Sequence, residues 1–267
     1  MRHVGSNPTH SAKNNYGGIR LDRERIKQIV KFCSAIAIIV LIFLIVGIIM
    51  IKYEVEGDKN MPFNLSKIMI VSTAEGVEGE GKNKWNFDVY QNNDIYFYID
   101  KNDKYWGSNG NIEKVRIENI QVLESPQIGE IKAYMPNSLE GRLYTYDKNF
   151  IVEEKLEYRG AGKSNPQTLE IGSQGGSALI RFSNTGIGKY SSDEDKEIVH
   201  DGSLLKKLDL TEEQMSFKIS FDIVICALNH EYKANVILDM PCENLIEQGT
   251  SNIEITDMSN IIFKRVK

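Results

Sequence analysis

The segment that best fits a binding surface is Asp100 to Asn111, which places Tyr105 and Trp106 among polar turn-forming residues. An exposed aromatic pair can stack on a sugar ring or anchor a protein contact, because aromatic side chains give a large contact area at low entropic cost. Loop aromatics also fold back to cover the end of a domain, and this alternative stays open. We predict Tyr105 and Trp106 as the ligand-binding residues.

A second candidate is an acidic segment with the alternate spacing that calcium loops use. Asp193, Asp195 and Glu197 supply carboxylates at every second position. Ile198 stands where the sharp turn of an EF-hand loop needs glycine, so the segment is not an EF-hand. We regard these three residues as weak calcium ligands, with a solvated acidic loop as the alternative.

Three motifs match a catalytic or nucleotide-binding pattern only in part. Gly160-Ala161-Gly162-Lys163-Ser164 resembles a phosphate loop, but Glu157 replaces the leading glycine. Ser203-Leu204-Leu205-Lys206 matches one element of penicillin-recognising serine enzymes, whose other two elements are missing. Gly172-Ser173-Gln174-Gly175 lacks the first glycine of a nucleophile elbow. We interpret them as a surface turn, a helix cap at Ser203 and a hairpin turn.

The sequence therefore predicts no catalytic residue, no structural metal and no cofactor. His200 and His230 stand thirty residues apart, with no His or Cys at metal-ligand spacing from either. Both histidines fit surface or loop positions.

One long apolar segment must position everything that follows it. Phe32 to Ile51 contains no charged residue, and fourteen of its twenty residues are Ile, Leu, Val or Phe. Twenty such residues in a helix just cross a bilayer, and insertion gains on the order of −4 to −8 kcal/mol. Five Lys or Arg precede the segment within twelve residues and two follow it, which predicts a cytoplasmic N-terminus and an exported C-terminal part.

These features divide the chain into four parts. We predict a cytoplasmic tail at 1–28, a transmembrane signal anchor at 29–52, a linker at 53–65 and an extracytoplasmic domain at 66–267. A DNA sequence that encodes Gly5-Ser6-Asn7-Pro8 matches the T-arm consensus of transfer RNA genes. This match suggests that 1–18 is a mis-called start. A polar tail is the alternative.

Beyond the linker the hydrophobic pattern has a period of two, which is typical of β-strands. The clearest strand is Ser216 to Ala227, paired with Tyr232 to Met240 around a turn centred on His230. Gln91 to Asp94 predicts a turn between two strands of a hairpin, and Gln174-Gly175-Gly176 predicts another. A further strand is expected over Arg142 to Tyr146. Thr211 to Gln214 has capping-box spacing.

About eleven short strands with almost no helix predict an all-β domain. We expect a two-sheet antiparallel β-sandwich of Greek-key or jelly-roll type behind one N-terminal transmembrane helix.

The net charge of the C-terminal part limits the kinds of partner that it can bind. Residues 1–53 hold eight basic and two acidic residues, so the rest of the chain holds 24 basic and 35 acidic residues, a net charge of −11. Nucleic acids and anionic wall polymers would be repelled.

Cys33 lies in the apolar segment, and the strand register predicts that Cys226 and Cys242 stay unpaired.

Four short segments carry a resemblance to a known group of proteins. They are Tyr53-Glu54-Val55-Glu56-Gly57, Ser72-Thr73-Ala74-Glu75-Gly76, Trp85-Asn86-Phe87-Asp88-Val89 and Phe263-Lys264-Arg265. With them the chain from Arg20 to Lys267 resembles a family of uncharacterised single-pass surface proteins of Gram-positive bacteria. The resemblance implies a membrane-anchored surface protein, but no activity and no site.

The function that these expectations favour is a non-catalytic binding or assembly module of a bacterial cell envelope. Its partners would be the lipid bilayer, through Phe32 to Ile51, and an envelope protein or glycan. A subunit of an envelope membrane complex and a cell-wall glycan-active enzyme are the alternatives. The enzyme would need two carboxylates about 5 to 9.5 Å apart in a cleft.

Overall fold

The computed structural model describes residues 23–55, 61–137, 143–162, 168–194, 202–240 and 242–266. Helix α1 covers Arg23–Val55 and includes the predicted anchor at 29–52. The most apolar 18-residue stretch of its Arg23–Met50 segment has a mean hydropathy of 3.2, and none of that stretch is buried. This helix is long and apolar enough to cross a membrane. The predicted segment 1–18 lies outside the described residues.

Eleven strands within the described residues form two sheets. The strands are β1 Phe63–Glu78, β2 Trp85–Lys101, β3 Ile112–Glu124, β4 Glu130–Tyr134, β5 Lys155–Gly160, β6 Leu169–Ile171, β7 Gly176–Ser192, β8 Phe217–Ala227, β9 His230–Met240, β10 Thr250–Ile255 and β11 Lys264–Arg265. The first sheet has the order β10-β1-β2-β7-β4 and the second has the order β11-β9-β8-β3-β5-β6, with β5 and β6 as a parallel pair. The predicted two-sheet antiparallel sandwich is confirmed.

Four short helical segments connect the strands. A 3-10 turn at Lys148–Phe150 follows β4, α2 at Ser203–Lys207 and α3 at Glu212–Met215 follow β7, and α4 at Leu245–Gln248 follows β9. Thr211 and Gln214 form the predicted capping box on α3. The predicted Ser203 cap is wrong, because Gly202 occupies the cap position in a left-handed conformation and Ser203 is the first helical residue.

Alternating side chains of both sheets form the main core. Phe221 of β8 packs against Phe97 of β2 and Phe182 of β7, with ring centroids 5.4 and 6.3 Å apart. All three are fully buried, and each contributes about 1.5 to 3 kcal/mol by leaving water. This contact joins the two sheets at the centre of the sandwich.

The long strands β1, β2 and β7 continue past this core into a second apolar cluster. That cluster contains Ala74, Val89 and Ile187 from the strands together with Leu204, Leu205 and Leu245 from α2 and α4. A buried polar layer separates the two: Ser72 donates to Asn93 at 2.6 Å, and Gln91 donates to the Cys242 sulfur at 3.1 Å. The predicted turn at Gln91 to Asp94 is therefore wrong. These four residues continue β2, because most of their polar groups find partners in the folded domain; the Gln91 side-chain oxygen has none among the described residues.

Two other predicted local structures are wrong. Gln174-Gly175-Gly176 does not close a hairpin, because β6 belongs to the second sheet and β7 to the first. The predicted strand over Arg142 to Tyr146 is absent from its described part, 143–146, which forms an irregular segment.

The β8–β9 hairpin has a shorter turn than the sequence predicts. Ala227 pairs with His230, so the turn consists of Leu228 and Asn229, both in the left-handed region with φ of 55° and 60°. Cys226 therefore pairs with Glu231, whereas the predicted turn centred on His230 would pair it with Ala234. The predicted register was wrong because leucine rarely adopts positive φ.

The predicted linker, 53–65, overlaps the two neighbouring elements, and its residues 56–60 lie outside the described residues. Helix α1 continues to Val55 and β1 begins at Phe63. Strands β1 and β10 had no predicted counterpart.

Candidate functional site

The predicted contact aromatics lie at one end of the sandwich, which we call the Met61 end. It consists of Met61 and Pro62, the loop 102–111 between β2 and β3, and the β8–β9 turn. Phe63, the first residue of β1, pairs with Lys101, the last residue of β2. The loop therefore starts beside the point where the chain joins the sheet.

Asn102 fixes the base of this loop. It is 4% exposed. Its side-chain amide donates to the Met61 carbonyl at 2.8 Å, and its backbone N–H donates to the Pro62 carbonyl at 3.0 Å. Its side-chain oxygen accepts from the backbone N–H of Lys104 at 3.0 Å, which is an Asx turn. One buried side chain thus joins the loop to the start of β1.

The far side of the loop is held in the same way. Asn109 donates to the Pro62 carbonyl at 2.7 Å and to the Asn102 carbonyl at 3.2 Å. Gly110 has a φ of 64°, and a Cβ atom there would lie 2.5 Å from Leu228 of the β8–β9 turn. Gln174 donates to the Gly110 carbonyl at 3.0 Å. The backbone of the loop is therefore fixed on both sides.

The two aromatic side chains of the loop differ in exposure. Trp106 is 85% exposed, the highest value for a large apolar side chain among the described residues. Tyr105 is half-buried, and its ring centroid lies 6.2 Å from that of Trp106 at an interplanar angle of 40°. Trp106 does not fold back over the sandwich. The loop presents one indole to its surroundings on a fixed backbone.

A shallow depression of about 450 Å³ lies beside the loop. Asn111, Glu113 and Asn229 give it polar groups, and Ile112 and Leu228 give it apolar ones. The Glu113 carboxylate accepts from the backbone N–H of Asn229 at 3.0 Å, so it supports the turn.

Of the three predicted calcium ligands, only Asp193 lies within the described residues. The Asp193 carboxylate accepts from the backbone N–H of Lys84 at 2.9 Å and from the Asn83 amide at 3.4 Å. Asp195 and Glu197 lie outside the described residues, as does His200. Among the residues that are described, no three His, Cys, Asp or Glu side chains form a group that could hold a metal ion.

Two of the partial catalytic motifs are neighbours and the third lies elsewhere. Gly160 ends β5, Ala161 and Gly162 line the depression at the Met61 end, and Lys163 and Ser164 lie outside the described residues. Ser203 begins α2 at the second apolar cluster, and His230 begins β9. Gly160 pairs with Ile171, which places the first motif beside Gly172-Ser173-Gln174-Gly175.

A second concentration of polar groups lies on the outer face of the first sheet. We call it the Arg181 cluster. It consists of Glu75, Asn92, Asp94, Arg181, Tyr144 and Tyr146. Arg181 donates to both Asp94 oxygens at 2.5 and 2.8 Å, and its Nη1 lies 3.7 Å from Glu75. This bidentate pair is a strong form of ion pair.

The segment 143–150 covers the Arg181 cluster. Tyr144, which is 6% exposed, lies over the Arg181 guanidinium at 4.2 Å. The Tyr146 hydroxyl donates to Glu75 at 2.6 Å and accepts from Asn92 at 2.7 Å. Burial raises the pKa of both tyrosines, and the hydrogen bond to Glu75 raises the pKa of Tyr146 further. Two carboxylates therefore meet here, but both contact Arg181 beneath the tyrosines instead of lining a cleft.

Comparison with protein-family models, with curated proteins and with solved structures gives no match to this chain. The resemblance to Gram-positive surface proteins therefore stays a prediction.

Asn102 and the Arg181 cluster are the features that the sequence did not indicate as a site. The segment Asp100 to Asn111 contains five other Asn, Asp or Ser residues, and only burial distinguishes Asn102 from them. The hydrogen-bonded partners within the cluster are 17 to 87 residues apart in sequence. No local spacing could have predicted them.

Proposed function

We propose that this chain is a membrane-anchored extracytoplasmic binding or assembly module of a bacterial cell envelope. Helix α1 would hold it in the cell membrane with the N-terminus in the cytoplasm, following the bias of basic residues across the apolar segment. The β-sandwich would be outside the cell, where its net charge of −11 disfavours nucleic acids as partners.

The observation that carries the proposal is the presentation of Trp106. An indole that is 85% exposed, on a backbone fixed by Asn102 and Asn109, is pre-organised for contact. A pre-organised aromatic loses little freedom on binding, so most of its buried area contributes to affinity. The Met61 end is therefore the proposed contact surface.

A non-catalytic role is favoured by the state of the carboxylates. Glu75 and Asp94 are the candidate pair for glycan hydrolysis, and Arg181 contacts both of them. Both carboxylates contact Arg181 beneath Tyr144 and Tyr146, so neither lines the open cleft that a glycosidase needs.

Photo-crosslinking in living cells tests this proposal. A benzophenone amino acid at position 106 should crosslink to an envelope component, whether protein, glycan or lipid. The matched control carries the same amino acid at Lys189, whose side chain is 81% exposed on β7. Equal crosslinking from both positions, or none from position 106, would contradict a specific contact at the Met61 end.

A further inference from the structure

The position of Trp106 along the chain limits what it can contact. Asn102 and Asn109 bind the carbonyls of Met61 and Pro62, so the loop is attached to the first described residues of the domain. Nine residues separate Ile51, the last residue of the apolar segment, from Met61. That stretch spans at most about 35 Å when fully extended.

The opposite end of the sandwich is much farther along the strands. Strand β1 runs from Phe63, paired with Lys101, to Glu78, paired with Phe87. Fifteen residue steps along a strand correspond to about 50 Å. Trp85, the second tryptophan of the chain, lies at that far end and donates its indole N–H to the Glu194 carbonyl at 2.9 Å. The two tryptophans therefore mark opposite ends of the domain.

We propose that the partner of Trp106 is the lipid surface of the membrane that holds the chain, with the indole inserted at the level of the headgroups. This inference rests on the proposed function, because it requires a membrane-anchored chain. Tryptophan suits that depth, since its ring is apolar and its N–H can still donate a hydrogen bond. The inserted indole would orient the sandwich on its tether.

The charges of the loop are compatible with a lipid surface. Lys101 and Lys104 are exposed and balance Asp100 and Asp103, so the loop is neutral although the domain is acidic. Asp100 also accepts a hydrogen bond from Ser66 at 2.5 Å. Lysine side chains beside an inserted aromatic can reach lipid phosphates while their stems contact apolar groups.

The short stretch between Ile51 and Met61 explains how one indole can be sufficient for contact with the lipid surface. A single aromatic side chain gives weak binding to a membrane when the protein must diffuse to it. Attachment through a short segment converts binding into an intramolecular event with a high effective concentration. A protein or glycan partner would not need the loop to lie at this particular end.

Fluorescence of the full chain in phosphatidylcholine vesicles tests the inference. The Trp85→Phe variant leaves Trp106 as the only indole, since the chain has two tryptophans. We expect its emission to shift to the blue relative to Trp106 in water, and to be strongly quenched when the lipids carry brominated acyl chains. The matched control is Trp106→Phe, in which Trp85 reports from the far end and should be quenched little.

Flotation of the same vesicles separates the two proposals. A chain that does not float with the vesicles contradicts both membrane anchoring and lipid contact. A chain that floats, but whose Trp106 emission is the same in brominated and ordinary lipids, contradicts lipid contact alone. Emission that changes only when soluble wall fragments are added would also contradict it, and would identify the partner as a glycan.

Discussion

At the residue scale, Asn102 and Trp106 have opposite roles within one loop. Asn102 is 4% exposed and hydrogen-bonded on both sides, whereas Trp106 is 85% exposed. We expect Asn102→Ala to lower the free energy of unfolding by about 2 kcal/mol, because it leaves buried backbone groups without partners. Trp106→Ala should change it by less than about 0.5 kcal/mol. Chemical denaturation of both variants measures this difference, and a large loss for Trp106→Ala would show that its ring stabilises the fold.

The two domain cysteines give a second prediction at this scale. Cys226 and Cys242 are free and buried, and burial raises the pKa of each thiol to about 11. We expect neither to react with a thiol reagent at neutral pH in the folded protein, since the thiolate is the reactive form. Both should react after denaturation. A disulfide between them in non-reducing peptide mapping would contradict the observed sheet, in which Cys226 contacts Arg116 and Cys242 contacts Gln91.

At the element scale, the segment 143–150 is attached to the first sheet by two tyrosines with different hydroxyl environments. The Tyr146 hydroxyl bonds Glu75 and Asn92, whereas the buried Tyr144 hydroxyl has no hydrogen-bond partner among the described residues. We expect Tyr146→Phe to destabilise the domain by about 1 to 2 kcal/mol. Tyr144→Phe, the matched control, should be neutral or stabilising. Thermal unfolding of both variants measures the effect, and equal losses would contradict these hydroxyl assignments.

Three buried tyrosines make the fold sensitive to alkaline pH. Burial raises the pKa of Tyr144, Tyr146 and Tyr158 above the ordinary value for tyrosine. The unfolded chain releases these protons at the ordinary pKa while the folded chain retains them. Their contribution is therefore complete below about pH 10 and is lost as the pH rises further. We expect unfolding and phenolate absorbance to rise together in an alkaline titration. Phenolate formation by these groups in a folded domain would contradict their burial.

The sequence predicted those elements whose pattern is local. The alternation in Phe217–Ala227 fixes the inward face of β8, and the Thr211 capping box depends on residues three positions apart. The continuous β2 strand could not be predicted in this way. Gln91 to Asp94 have the composition of a turn, and they are stable inside a sheet only because distant groups such as Arg181 and Ser183 satisfy them.

The candidate site also combines a feature that local sequence predicts with a feature that depends on distant contacts. The composition of the loop indicated Tyr105 and Trp106 as contact residues, and the structure places Trp106 in an exposed position. The role of Asn102 depends on Met61, which lies 41 residues earlier in the chain. Local composition carries no information about a contact of that kind.

For the whole molecule, we propose that the acidic sandwich lies outside the cell and the N-terminus inside, with the contact loop at the end of the sandwich where the chain enters the sheets. The native cysteines allow a sharp test, because Cys226 and Cys242 are buried and Cys33 lies in the apolar helix. New cysteines introduced at exposed positions can then be labelled selectively.

The most direct measurement is labelling of intact, wall-stripped cells with a membrane-impermeant maleimide. Lys189→Cys places a thiol at an exposed position on β7, and Arg25→Cys places one at the exposed start of α1. We expect Lys189→Cys to be labelled in intact cells, whereas Arg25→Cys should be labelled only after lysis. The unsubstituted chain should not be labelled in intact cells. Labelling of Arg25→Cys in intact cells, with Lys189→Cys protected until lysis, would reverse the topology and contradict the proposed function.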